Sequence, residues 1–95
     1  MMKNYRVNGR DNYSIDFRPQ SDGTIKMFAT EHPADPHGKP VSECHLFSSG
    51  EICVSGGHEP RTMDRAKAVA VHWMEGWSQY VRTGNFPKGS RRVTV

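Results

Sequence analysis

Along the chain the apolar residues change rhythm once, from a period of two to a period between three and four. Tyr13, Ile15 and Phe17 alternate with Ser14, Asp16 and Arg18, which predicts a half-buried strand closed by Pro19. Ile25, Met27 and Ala29 alternate with Lys26, Phe28 and Thr30 in the same way. Between these runs, Ser21-Asp22-Gly23 reads as a hairpin turn whose glycine can take positive φ. Tyr5 to Val7 is a shorter stretch of the same kind, set off by the turn-rich Asn8-Gly9-Arg10-Asp11-Asn12. Together they predict an antiparallel meander over residues 5–30.

The second rhythm predicts one helix over residues 62–83. Met63, Ala66, Ala70, Trp73, Trp77 and Tyr80/Val81 recur at helical spacing and form one apolar stripe, with Arg65, Lys67, Glu75 and Arg82 off it or at its edge. Thr62 suits the N-cap, Asp64 the positive end of the helix dipole, and Gly84 with Pro87 the stop. The two tryptophans read as core, and His72 as a residue of the helix flank.

Residues 31–42, with three prolines and a glycine, cannot form a central strand and read as a Pro-rich flap. Residues 43–61 hold Cys44-His45-Leu46-Phe47, a tight Ser48-Ser49-Gly50 turn, and Glu51-Ile52-Cys53-Val54, then loop. Here Ile52 and Val54 share one strand face and Cys53 lies on the other. The expected fold is α+β: an antiparallel meander of about four short strands with one C-terminal amphipathic helix packed on it.

Length and composition narrow this further. Ninety-five residues make one domain, and a mean hydropathy of −0.74 means a thin core. The net charge of +3 is carried largely by Lys88, Arg91 and Arg92 in a basic tail over 84–95, so charge alone does not predict a nucleic-acid partner. No apolar run has the length of a membrane span, and the start has no secretory signal. Two cysteines are too few for a disulfide scaffold, which makes a reducing, cytoplasmic setting the expectation.

The reactive side chains concentrate in Cys44, His45, Cys53 and His58, with His32 and His37 in the flap. Cys53, after a turn and before a Gly-Gly loop, is a candidate nucleophile, and His45 could donate a hydrogen bond to an oxyanion. On spacing alone, a cysteine flanked by Ile52 and Val54 is more often a buried core residue than a nucleophile. A zinc site would draw on Cys44, Cys53, His58 and one further histidine, but there is no Cys-x-x-Cys pair, and adjacent strand residues Cys44 and His45 would face opposite ways. His32, His37 and His58, beside prolines or glycines, read as solvated loop residues.

The run from His45 to Cys53 resembles the active-site segment of ubiquitin-conjugating (E2) enzymes. In that family a His-Pro-Asn motif precedes Gly-x-Ile-Cys, and the asparagine stands eight residues before the catalytic cysteine. Gly50-Glu51-Ile52-Cys53 matches the second part without a gap, and His45 falls at the asparagine's place, preceded by Glu43 and Cys44 where the family has His-Pro. The order of meander, flap, cysteine, Pro60-containing loop and helix is also similar, over residues 5 to 87. The divergent E2-like proteins of bacterial conjugation systems are the nearer likeness.

The resemblance implies a truncated ubiquitin-conjugating fold in which Cys53 is the catalytic cysteine and His45 takes the oxyanion-supporting role. Ser55 and His58 would be auxiliary residues. It implies no metal or organic cofactor. The implied partners are a ubiquitin-like modifier, its activating (E1-like) enzyme and a protein acceptor. The alternative expectation is a non-catalytic protein–protein interaction domain of the same layout. A nucleic-acid reading would rest on the basic tail and on exposure of Tyr5 and Tyr13.

Overall fold

A computed structural model describes residues 1–54 and 57–87. Strands β1 (Met2–Val7), β2 (Asp11–Pro19) and β3 (Ile25–Glu31) pair antiparallel in the order β1-β2-β3. Asn8 and Gly9, at φ 55° and 70°, are the central residues of the turn between β1 and β2, closed by the Arg10 amide donating to the Val7 carbonyl at 3.1 Å. Two consecutive positive φ angles match the right-handed twist of the flanking strands, which is why Asn-Gly serves here. Pairing Tyr5 with Tyr13 and Phe17 with Met27 puts Tyr13, Ile15, Phe17, Ile25, Met27 and Ala29 on one buried face.

A one-turn helix, α1 (Val41–Cys44), and a long helix, α2 (Met63–Thr83), follow. α2 begins and ends where its sequence signals stand. The Thr62 hydroxyl accepts from the Arg65 amide at 3.2 Å, and Gly84, at φ 81°, returns its amide to the Tyr80 carbonyl at 2.7 Å. Ala66, Val69, Ala70, Trp73, Met74, Trp77 and Tyr80 bury themselves against the sheet face. Trp73 and Trp77 lie 5.1 Å apart, and each contributes on the order of 2–3 kcal/mol by the apolar area it removes from water. No described helix is long and apolar enough to cross a membrane.

The fold is α+β as expected, with three differences. The meander starts at Met2, earlier than the apolar pattern indicates, because β1 pairs along its polar residues as well. The expected fourth strand is reduced to isolated bridges, Phe28 with Glu51 and Leu46 with Ile52. Tyr13, required by the nucleic-acid reading to be exposed, is a core residue at 1 % exposure, and Tyr5 is half-buried. The Tyr13 hydroxyl donates to the Met74 carbonyl at 3.1 Å and shares a 2.6 Å hydrogen bond with Ser78, so its polar end is satisfied inside.

The flap is pinned to α2. Trp77 Nε1 donates to the Pro33 carbonyl at 2.9 Å, and Asp35 Oδ1 accepts from the Tyr80 hydroxyl at 2.8 Å and from the amides of His37 and Gly38. Burial opposes ionisation of Asp35, but these three donors together outweigh it and hold its carboxyl below the usual range. The same burial, with the bond to Asp35, pushes the Tyr80 hydroxyl up to about 12. His32 is not a solvated loop residue: its ring stands edge-on to Trp77 at 5.1 Å, and its Nδ1 lies 2.8 Å from the Pro33 carbonyl. His37, although exposed, is also placed, with Nε2 3.1 Å from the Val81 carbonyl.

Candidate functional site

The segment carrying His45 and Cys53 is a tight hairpin laid along the outer edge of β3. The Phe47 amide donates to the Glu51 carbonyl at 2.9 Å, and the Gly50 amide to the Phe47 carbonyl at 2.9 Å. The Cys53 amide then donates to the His45 carbonyl, also at 2.9 Å. Leu46 pairs with Ile52, so His45 and Cys53 stand opposite each other one step further from the turn. Their eight-residue separation is what a hairpin centred on Ser49 requires.

Two bonds fasten this hairpin to the sheet, from the Ala29 amide to the Gly50 carbonyl and from the Ile52 amide to the Met27 carbonyl. Gly50 makes the approach possible: its φ is 92°, and a Cβ there would stand 3.3 Å from the Ala29 carbonyl oxygen. Ile52 is buried and Val54 packs on the core, while Cys53, one step along the strand, is half-exposed. The alternation read from the sequence therefore holds for these three residues.

Cys44 and His45 are not strand residues. Cys44 ends α1 and is buried, with its thiol donating to the Lys39 carbonyl at 3.5 Å, and its own carbonyl accepts from Trp73 Nε1. His45 caps α1 in the left-handed conformation, at φ 61°, and its amide donates to the Val41 carbonyl at 2.8 Å. Its ring packs edge-on against Phe86 at 4.8 Å. Phe86 in turn lies across α2 at Gly76, where a Cβ would overlap the phenyl ring. Neither Phe86 nor Gly76 stood out in the sequence. A glycine inside a helix three residues after one tryptophan and just before another was the available signal, since it marks a close approach.

The electrostatics of the pair are specific. Burial lowers the His45 pKa from its ordinary value, so the imidazole is neutral at pH 7 and carries one N–H donor. The Cys53 thiol is pushed up, first by burial, then by the charge of Glu51 two residues away and by Cys44. Such a thiol is a weaker nucleophile at neutral pH than an exposed one. Among the described residues no hydrogen bond joins the thiol to the imidazole; the backbone alone ties the two residues together.

His58 is exposed in the loop beyond the hairpin, and Ser55, the other auxiliary candidate, lies outside the described residues, as does the tail from 88 onward. Among the described residues no three His, Cys, Asp or Glu side chains gather where a metal ion could be held. Beside the hairpin, a cleft of about 420 Å³ separates it from the flap; His32, Asp35, Lys39, Cys44, Phe47 and Trp77 are among its walls. The cysteine in this cleft is Cys44, not Cys53.

No protein-family model, curated protein or solved structure matches the chain.

Proposed function

We propose that this chain is an E2-like carrier, of the bacterial type and acting in the cytoplasm, that holds a ubiquitin-like modifier as a thioester on Cys53. The single observation behind the reading is the hairpin pairing that sets His45 opposite Cys53, with the Cys53 amide bonded to the His45 carbonyl at 2.9 Å and the cysteine half-exposed. The partners are the modifier, its activating enzyme and a protein amine.

In the first step the Cys53 thiol loses its proton to solvent, and its sulfur attacks the modifier's thioester carbonyl. The new C–S bond forms as the carbonyl becomes an oxyanion. Collapse of that intermediate expels the activating enzyme's thiolate. A neutral lysine amine of the acceptor then attacks the Cys53 thioester and loses its proton to solvent, forming an isopeptide bond and releasing the Cys53 thiolate. Neutral His45 supplies an N–H donor near this carbonyl without adding a charge, and the Phe86 ring limits its rotation.

The raised thiol pKa favours a second reading, a non-catalytic protein–protein interaction domain of the same fold. The two separate in one assay. The chain is incubated with a Gly-Gly-ending peptide carrying a C-terminal mercaptan thioester, and adducts are read by mass spectrometry. The carrier reading expects a thiol-labile adduct on Cys53 that Cys53→Ala abolishes. Absence of that adduct, or equal labelling of Cys44, would favour the interaction domain.

A further inference from the structure

Strand β1 is the open edge of the sheet: it pairs with β2 on one side, and among the described residues no strand pairs with its other side. Along its six residues the outward-pointing N–H and C=O groups, those of every second residue, form a template for another chain. Beside this edge, on the helix side, runs an apolar groove of about 570 Å³ lined by Tyr5, Lys67, Ala68, Val71, His72 and Glu75. Val71, an aliphatic residue on a helix, is 39 % exposed there. His72, which lines the groove, has its Nε2 buried with no hydrogen-bond partner among the described residues.

The groove continues past Glu75 into a polar depression walled by Arg10, Gln79 and Arg82. From Lys67 to Thr83 the helix rises about 24 Å, the length of about seven extended residues. The register of β1 fits the groove as well. Tyr5 pairs with buried Tyr13 and Lys3 with buried Ile15, so Lys3, Tyr5 and Val7 face α2. A strand added outside β1 would set every second side chain above the groove.

Charge selects the occupant. Lys3, Arg6, Arg10 and Lys67 surround the edge, and among the described residues none of them forms an ion pair; Glu75 stands against them. A second copy would bring the same unpaired cations, Lys3, Arg6, Arg10 and Lys67, against this edge, which opposes a homodimer through it. We propose that the β1 edge and its groove bind an extended, acidic segment of a partner protein, added as a strand whose alternate apolar side chains enter the groove. The interaction is independent of Cys53.

The probe is the capped peptide Glu-Val-Glu-Leu-Glu-Val-Glu, titrated into the isotopically labelled chain and followed by amide chemical shifts. Shifts centred on Lys3–Val7 and on α2 from Lys67 to Gln79 are expected. Val71→Asp and Lys67→Glu, both surface changes, should each weaken binding about tenfold, as should replacing the peptide's Glu residues by Lys, and Cys53→Ala should leave it unchanged. Three results would each overturn the proposal: no saturable shift up to about 1 mM peptide, shifts centred on the flap cleft, or variants that bind as the parent does. Concentration-dependent β1 shifts without peptide would also overturn it, in favour of a second copy at this edge.

Discussion

The outer end of the Phe86 ring lies against Gly76, and the same ring packs on His45. A glycine inside a helix ordinarily costs about 1 kcal/mol relative to alanine, so Gly76→Ala should stabilise α2 if the helix alone mattered. The added Cβ instead displaces the phenyl ring, at an overpacking cost of about 1–3 kcal/mol. Gly76→Ala is therefore expected to lower the urea midpoint in the parent chain and to raise it in a Phe86→Ala background. That reversal of sign, read from the four members of the cycle, tests the contact directly; equal shifts in both backgrounds would dissolve it.

His45 joins two constraints, a left-handed backbone and a half-buried ring. Its folded pKa is depressed, so the unfolded chain binds the proton more readily. Stability is then greatest above the ordinary histidine value of about 6.5 and falls as pH drops below it. Asparagine tolerates positive φ, lacks a titrating group and keeps a donor. His45→Asn should thus retain the fold at pH 7 and lose less stability than the parent between pH 7 and pH 5, as judged by urea midpoints. In the thioester assay the same variant should still form the Cys53 adduct. An equally steep acid slope would show that His45 is not the group responsible.

Tyr13 and Ser78 form a second link between sheet and helix. Tyr13→Phe removes a buried hydroxyl with two partners and is expected to cost about 1 kcal/mol, with Ser78→Ala costing less because the tyrosine keeps the Met74 carbonyl. Burial, the main cause, raises the Tyr13 hydroxyl to about 12. Since the folded pKa lies above the unfolded value, the corresponding stability is present below pH 10 and is lost as pH rises toward 12. Tyr80 titrates over the same window, so Tyr13→Phe should flatten this alkaline decline in part, and Tyr13→Phe with Tyr80→Phe should flatten it further.

What could be read from the sequence followed from local rules. Thr62 and Gly84 bound α2 because capping is decided by a few adjacent atoms, and β2 and β3 showed because one face of each is buried. The hairpin register that opposes His45 to Cys53 was carried by the Ser48-Ser49-Gly50 turn. The one-turn helix before it escaped notice because Val41–Cys44 is too short to show a period and Pro40 at its N-cap offers no capping side chain. The alternation put Tyr13 on the apolar face of β2, but the partner of its hydroxyl, Ser78, lies 65 residues away on another element and could not be read. The direction of the Cys53 shift depends on packing and on Glu51 sharing its side of the strand, neither of which the spacing of His45 and Cys53 encodes.

Gly50 is where the geometry of the hairpin can be tested against the chemistry of Cys53. Gly50→Ala forces a side chain into the left-handed region and brings its Cβ 3.3 Å from the Ala29 carbonyl, so the hairpin should lift from β3 at a cost of about 1–2 kcal/mol. Two readouts should then move together. Amide exchange at Ile52 and Cys53 should accelerate, because their acceptors are Met27 and His45. Alkylation of Cys53, followed against pH in a Cys44→Ser background, should be slow at pH 7 in the parent, since the thiol titrates above its ordinary value. In Gly50→Ala the loss of burial, the first cause of that rise, should bring the midpoint of alkylation down. If exchange quickens while the alkylation profile stays where it was, burial by the hairpin is not what restrains the thiol, and the neighbouring charge of Glu51 becomes the cause to test, by Glu51→Gln.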